Sequence, residues 1–210
     1  MSIYRACGKR LFDLVASATL LILFAPLLAT LALLVRVFLG APILFRQVRS
    51  GKNRQAFTIL KFRTMTNAVD AEGKLLPDGQ RLTRLGRFLR ATSVDELPEL
   101  WNVLRGDMSL VGPRPLLRQY DAYYTERELR RFDFLPGITG WAQINGRNEL
   151  AWDQRLECDV VYVERCSFWF DIKILCFTVV KVLRRDNVHV DADQAETAMD
   201  EERRQRAAVI

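Results

Sequence analysis

Two adjacent carboxylates, Asp95 and Glu96, lie in a part of the chain that is rich in arginine. The arginines that surround the pair in sequence are Arg84, Arg87, Arg90, Arg105 and Arg114. An aspartate is ionised at neutral pH and can attack phosphorus to form an acyl phosphate. Because this attack brings one anion onto another, arginines or a divalent cation must screen the repulsion. The pattern indicates phosphate chemistry, with Asp95 as nucleophile and Glu96 as a ligand of Mg²⁺.

The alternative interpretation of the acidic pair is an ordinary helix start. Pro98 suits the first turn of a helix over residues 98–105, and Gly106 suits its end. A capping box formed by Ser93 and Glu96 is a second possible start. In either case the pair lies at or just before a helix N-terminus, where the helix dipole favours acidic residues without any chemistry.

Upstream of this site, residues 11–39 form an almost wholly apolar run. Such a run is long enough to cross a bilayer, but Pro26 interrupts it near its middle. Basic residues flank both ends, which favours keeping both ends on the cytoplasmic side. The sequence therefore predicts a re-entrant helix-break-helix hairpin, with Asp13 and Arg36 near the lipid headgroups. A kinked span and a buried soluble helix remain as alternatives.

The rest of the chain predicts a small catalytic domain. The expected elements are strands at 43–48 and 57–63 joined by a turn at 50–53, a mobile loop at 66–80, a basic helix at 81–90, a stiff loop at 111–115, a surface segment of helical spacing at 116–134, a strand at 141–144 and an amphipathic helix at 168–185. The last helix could face a membrane interface or the core. The expected fold class is α/β (α-rich mixed), with a membrane hairpin over residues 1–40, a cytosolic catalytic domain over 41–188 and a charged mobile tail over 189–210.

Composition narrows the function further. The formal net charge is +6, which fits phosphate substrates or an anionic membrane surface. The basic residues form no aromatic-interleaved stripe, so no nucleic-acid partner is expected. The four cysteines form no Cys-x-x-Cys pair and there is one histidine, which argues against a zinc site and a Ser-His-Asp relay. No Walker-type phosphate loop is present either.

Five stretches of the sequence resemble one known family. They are residues 9–13 (KRLFD), 61–65 (KFRTM), 95–115 (DELPELWNVLRGDMSLVGPRP), 136–140 (PGITG) and 145–147 (NGR). Together they make the chain similar, from about residue 5 to residue 185, to the bacterial sugar transferases, the monotopic phosphoglycosyl transferases. The chain resembles the minimal form of that family, which consists of little more than the catalytic unit.

The resemblance implies transfer of a sugar-1-phosphate from a UDP-sugar to undecaprenyl phosphate, with release of UMP. It implies Mg²⁺ as cofactor, membrane lipids as surroundings, the cytoplasmic face of the bacterial inner membrane as location, and downstream glycosyltransferases as partners. Pro26 matches the family's hairpin break, although Ala25 stands where relatives often have serine. The family's nucleophile and metal ligand correspond to Asp95 and Glu96. The residues expected to contact substrate or its phosphates are Lys61, Arg63, Arg90, Arg114, Arg147 and Asp171.

Two other functions are compatible with the same residues. A non-catalytic membrane adaptor that gathers glycan enzymes would use the charged loops for contacts. A transferase acting through a ternary complex would need no covalent Asp95 intermediate. The sequence defines neither the sugar, nor the glycan pathway, nor the oligomeric state.

Overall fold

A computed structural model of the chain describes residues 3–146, 150–184 and 199–208. The helices and strands, in chain order, are α1 (Lys9–Leu23), α2 (Ala25–Phe38), β1 (Leu44–Ser50), β2 (Ala56–Phe62), α3 (Asp78–Arg81), α4 (Arg84–Ala91), α5 (Glu99–Arg105), β3 (Ser109–Val111), α6 (Glu126–Leu129), β4 (Gly137–Thr139), α7 (Trp141–Ile144), α8 (Trp152–Arg165), α9 (Phe168–Arg184) and α10 (Met199–Ala208). The helix-rich α/β class predicted from the sequence is confirmed.

The apolar N-terminal run folds as two helices with a sharp bend between them. The segments Tyr4–Leu23 and Ala25–Phe38 meet at an angle of 63°. Phe24 leaves helical geometry, and Pro26 stands in the first turn of α2, where its missing N–H costs nothing. Within the described residues, no single helix is both long and apolar enough to cross a membrane, but this bent pair reaches that length and composition.

Two charged residues of α1, Lys9 and Asp13, bind other parts of the protein. Lys9 and Asp13 are buried. The Lys9 ammonium lies 2.7 Å from Oδ2 of Asp171 in α9, and Oδ1 of Asp13 accepts the backbone N–H of Leu110 at 3.1 Å. The Asp13 side chain is therefore not free to reach out to lipid headgroups, while the depth of this residue in a membrane stays a prediction. Its carboxylate is instead used to satisfy the backbone at β3.

Arginines next to these positions bind the carboxyl ends of two other helices. Arg10 donates to the carbonyls of Val103 and Leu104 at 2.6 and 2.9 Å, and these carbonyls belong to the last turns of α5. Arg5 donates to the carbonyl of Glu164 at 2.8 Å, near the end of α8. Such contacts satisfy carbonyls that have no partner within the helix and place positive charge at the negative end of the dipole.

Both arms of the bent pair also contribute to the hydrophobic core. The inner face of α1, including Phe12 and Leu20, packs on the main core cluster, which contains Val103 and Tyr162. In α2, Leu31 and Val35 are buried against Phe62 of β2 and Leu89 of α4. The two helices of the apolar run thus have two faces. One face packs on the protein, and the other exposes Ile22, Leu33 and Val37.

Two small sheets complete the fold. β1 and β2 pair antiparallel from Leu44 opposite Phe62 to Ser50 opposite Ala56, which confirms the predicted strand hairpin within one or two residues at each end. β3 and β4 pair in parallel, a contact that the sequence did not predict. The first sheet carries Lys61 and the second precedes Arg114, so each delivers one cation to the acidic pair.

Several local predictions need correction. Residues 141–144 form a short helix, α7, where the sequence predicted a strand. The segment 116–134 is broken into short helical turns, and α8 was not predicted. α5 starts directly after Pro98, which agrees with the proline start and not with the capping box. The Ser93 side chain makes no capping hydrogen bond. In the tail that was expected to be mobile, α10 is helical, with Met199 buried and Arg203 bound to Glu128 at 2.6 Å.

The Lys9–Asp171 pair generates a stability prediction. Replacing Lys9 by methionine leaves a buried carboxylate without its cation, which costs about 3–5 kcal/mol. We expect Lys9→Met to lower the melting temperature in detergent, and a Lys9→Met/Asp171→Asn double variant to recover part of the loss. Leu11→Ala, at an exposed position of the same helix, is the control. Equal losses for Lys9→Met and Leu11→Ala would contradict this prediction.

Candidate active site

The acidic pair lies on a tight turn between α4 and α5. Ser93 adopts a left-handed backbone conformation (φ 55°) and the 3₁₀ turn Val94–Glu96 follows it. The backbone N–H of Glu96 bonds to the carbonyl of Ser93 at 3.2 Å. A positive φ is uncommon outside glycine, so the reversal at Ser93 is a specific local feature of this turn. It turns the chain so that Asp95, 9% exposed, and Glu96 both reach one cleft.

Two cations from distant parts of the chain hold the carboxylate of Glu96. Oε1 of Glu96 lies 2.6 Å from the Lys61 ammonium and 3.2 Å from the Arg114 guanidinium. Lys61 is the penultimate residue of β2, and Arg114 follows β3 between two prolines that stiffen the loop. Although burial opposes ionisation of Arg114, the charges of Glu96 and Glu99 raise its pKa. Arg114 is therefore a permanent cation beside the acidic pair.

The cleft has a volume of about 660 Å³, within the size range of small-molecule sites. Its lining includes six of the residues that the sequence predicted for the site, namely Asp95, Glu96, Lys61, Arg63, Arg90 and Arg114. Residues up to 69 positions apart in sequence, such as Phe45 and Arg114, thus meet around one space. The positive side chains outnumber the carboxylates in this lining, which suits an anionic ligand.

Arg63 and Arg90 differ in what their guanidinium groups bind. Arg63 donates to the carbonyl of Ala41 at 2.8 Å and to that of Leu39, so it holds the chain where α2 ends. Nε of Arg90 donates to Oγ1 of Thr64 at 3.1 Å. A Cβ at Gly86 would lie 1.9 Å from the carbonyl oxygen of Thr64, so only glycine allows α4 to approach this segment. That approach brings Arg90 to the cleft.

A buried ion pair behind the cleft positions Arg114, and sequence reasoning missed it. The guanidinium of Arg131 lies 2.9 Å from Oδ2 of Asp159, and both side chains are buried. A further N–H of Arg131 donates to the backbone carbonyl of Arg114 at 2.6 Å. No sequence signal could have found this contact, because Arg131 lies in a run of charged residues that reads as solvent-exposed.

Glu99 is buried next to the acidic pair. Its Oε1 lies 3.3 Å from the Lys61 ammonium, which also binds Glu96. Burial raises the pKa of Glu99 to about 8, and the charge of Lys61 offsets only part of that effect. When Glu99 is neutral, Glu96 is the only charged carboxylate of the two that binds the Lys61 ammonium. The sequence feature that could have indicated this proximity is the spacing, because Glu99 follows Glu96 by three residues.

One predicted residue that the structure describes, Asp171, is not among those that line this cleft. Asp171 lies in a buried cluster, where its carboxylate accepts bonds from Tyr4 at 2.5 Å and Tyr162 at 2.8 Å besides its pair with Lys9. In that position it fastens α1 to α9. Arg147 lies outside the residues that the structure describes.

Comparison with known proteins identifies the class to which this chain belongs. Residues 4–185 match the family model described as bacterial sugar transferase, and the chain is a member of that family. An uncharacterized sugar transferase of Bacillus subtilis, EpsL, is 52% identical over 89% of this chain and 94% of its own length.

Two further relatives carry a more specific name, UDP-glucose:undecaprenyl-phosphate glucose-1-phosphate transferase. The one from Caulobacter vibrioides is 45% identical over 86% of this chain and 72% of its own length. The one from Escherichia coli is 41% identical over 82% of this chain, which corresponds to 39% of the longer relative.

The raised pKa of Glu99 predicts a pH-dependent loss of stability. Since its folded-state pKa is above the unfolded value, the protonated side chain stabilises the fold at low pH, and this stability is lost as the pH rises towards about 8. We expect wild type to lose up to about 1.4 kcal/mol per pH unit relative to Glu99→Gln between pH 5 and 8. Above pH 8 the difference should level off.

Thermal unfolding of both proteins across this range measures the effect, with Glu72→Gln as the control at an exposed glutamate. Parallel pH profiles for wild type and Glu99→Gln would show that Glu99 is ionised throughout.

Proposed function

We propose that the protein transfers a sugar-1-phosphate from a UDP-sugar to undecaprenyl phosphate and releases UMP. The observation that carries the proposal is an aspartate at the wall of a cationic cleft, next to a glutamate whose charge two cations already bind. The names of the Caulobacter and Escherichia relatives support both substrates and the reaction class. The sugar could differ from glucose, because a relative from Erwinia amylovora is named as a UDP-galactose-lipid carrier transferase.

In the proposed first half-reaction, an oxygen of Asp95 attacks the β-phosphorus of the UDP-sugar. The bond between this phosphorus and the oxygen that bridges to the α-phosphate breaks, and that oxygen leaves with UMP. The sugar-phosphate is then esterified to Asp95 as an acyl phosphate. In the second half-reaction, a phosphate oxygen of the lipid attacks the same phosphorus, and Asp95 leaves as a carboxylate. Neither step needs a general acid, because each leaving group departs as an anion.

The cations of the cleft fit this chemistry through their charge. Both steps bring an anionic nucleophile to an anionic phosphate, and fixed cations lower the energy of the resulting transition state. Arg114 is held by its bond to Glu96 and by the bond from Arg131 to its backbone carbonyl, so its guanidinium is preorganised. Arg90, bound to Thr64 through Nε, has its other nitrogens available for phosphate oxygens.

The proposed cofactor is Mg²⁺, held by Glu96. Among the described residues no group of three or more His, Cys, Asp or Glu side chains could hold a metal ion. Magnesium does not require such a group, since it often takes one or two carboxylates and completes its coordination with substrate phosphates and water. The acidic pair offers that donor set. When bound, the ion would neutralise charge on the phosphates.

We also propose that α1 and α2 dip into the cytoplasmic leaflet of the bacterial inner membrane and return. The bend of 63° and the exposed apolar side chains on both arms support this placement. The α9 helix adds Trp169 and Leu183, each 77% exposed, to the apolar surface. Tryptophan favours the boundary between lipid and water.

The covalent step predicts that Asp95 becomes labelled. Incubation with radiolabelled UDP-sugars, without lipid phosphate, should leave label on the wild-type protein. Asp95→Asn should reduce that label by a factor of about 10³ or more, since an amide is a poor nucleophile. Asp133→Asn, at an exposed surface aspartate, should label like wild type. Equal label on Asp95→Asn and wild type would exclude Asp95 as nucleophile, and steady-state kinetics would then be expected to show a ternary complex.

The membrane placement predicts that both ends of the bent pair face the cytoplasm. Epitope tags placed before Ser2 and at Lys52, in the connection between β1 and β2, should be accessible only after the membrane is opened. A periplasmic tag of known orientation serves as the control. Detection of the tag at Ser2 from outside intact cells would require a crossing helix instead.

A further inference from the structure

The β1 strand presents a polar side-chain pair to the cleft that the reaction steps above do not use. Phe45, Gln47 and Arg49 line the cleft, and this alternate spacing places them on one face of the strand. A terminal N–H of Arg49 donates to Oε1 of Gln47 at 2.6 Å. Gln47 orients the guanidinium, and, because it is neutral, leaves the charge of Arg49 uncompensated.

The surroundings of Arg49 are unfavourable for a cation. Within the described parts of the chain, no carboxylate lies at ion-pair distance from Arg49, and its Nε is buried without a hydrogen-bond partner. Burial, together with the neighbouring charge of Arg114, lowers the pKa of Arg49 to about 10. Tyr120 and Glu99 act in the opposite direction with smaller effects. The Arg49 guanidinium therefore feels the charge of Arg114 and, unlike Arg114, has no carboxylate at ion-pair distance among the described residues.

Two buried arginines among the described residues, Arg131 and Arg63, are compensated by their contacts. Arg131 pairs with Asp159 and binds a backbone carbonyl, and Arg63 binds two backbone carbonyls. These contacts give each of them a structural role. Within the part of the chain that the structure describes, the guanidinium of Arg49 has one hydrogen-bond partner, the neutral Gln47, and it lines the open cleft. An uncompensated cation of this kind costs stability, and a bound anion would remove that cost.

We propose that Arg49, oriented by Gln47, forms with Arg114 a two-guanidinium subsite that binds a phosphate group of a substrate at the β1 side of the cleft. Guanidinium forks match phosphate oxygens in geometry and charge. The phosphate could come from the nucleotide of the donor or from the lipid acceptor. This assignment of sources rests on the proposed function, whereas the anion site itself does not.

The first test measures anion binding without catalysis. Melting temperatures of wild type and Arg49→Gln are compared in chloride, in inorganic phosphate and in UDP at one ionic strength. Arg49→Gln should melt at the same temperature as wild type or higher in chloride, because it removes a repulsion. Its apparent affinity for UDP or phosphate should fall about tenfold or more.

A matched control and a conservative variant accompany this test. Arg46→Gln removes the same charge from the opposite, exposed face of β1 and should bind both anions like wild type. Arg49→Lys keeps the charge without the fork and should fall between wild type and Arg49→Gln. A clear loss of melting temperature for Arg49→Gln in chloride would instead assign Arg49 a structural role and overturn the proposal.

The second test identifies the source of the phosphate. Rates of labelling by a UDP-sugar and of transfer from the labelled protein to undecaprenyl phosphate are measured separately. Slower labelling in Arg49→Gln assigns the subsite to the donor, and slower transfer alone assigns it to the acceptor. If Arg49→Gln matches Arg46→Gln in anion binding, labelling and transfer, the subsite does not exist. Absence of label on wild type would contradict the proposed function and leave the thermal test of the anion site valid.

Discussion

The carboxylate of Glu96 is the point on which the site depends, because it joins three segments that are far apart in sequence. Lys61 comes from the strand hairpin, Arg114 from the stiff loop after β3, and Glu96 itself from the turn that carries Asp95. Both cations are rigidly supported: Lys61 within a strand pair, and Arg114 through Arg131 and its buried partner. The position of Asp95 is therefore set by the turn that begins at Ser93 together with the ion pairs of the neighbouring Glu96.

Acidic residues inside this protein serve different purposes according to their partners. Asp159 and Asp171 each have a buried cation and act as fasteners between elements. Glu99 shares its cation with Glu96, and its burial favours the neutral form. Positive charge remains in excess around the cleft, most clearly at Arg49. Structural charges are thus balanced within the fold, whereas the charges at the cleft are left for a ligand to balance.

The sequence predicted the parts of the structure that depend on local pattern. Periodicity and turn residues located the strand hairpin, the break near Pro26 and the α5 helix with its stop at Gly106. Family motifs located six of the residues that line the cleft. The contacts of Lys9, Asp13 and Asp171 were not predictable, because they join residues up to 167 positions apart. In addition, a charged residue near an apolar run is normally interpreted as a contact with lipid headgroups. Glu99 and Arg131 were missed for the same reason, since burial is not visible in residue type.

The attachment of α1 has a mechanical consequence for the proposed transfer to an acceptor that is embedded in lipid. Lys9, Arg10 and Asp13 join this helix directly to α9, α5 and β3, without an intervening linker. Under the proposed membrane placement, the depth of the hairpin sets the height of Asp95 above the hydrocarbon, and the catalytic unit cannot tilt or retract independently. In the proposed reaction, the lipid phosphate would then have to reach Asp95 at a constant height, so a change in bilayer thickness would alter their encounter without any change in the protein.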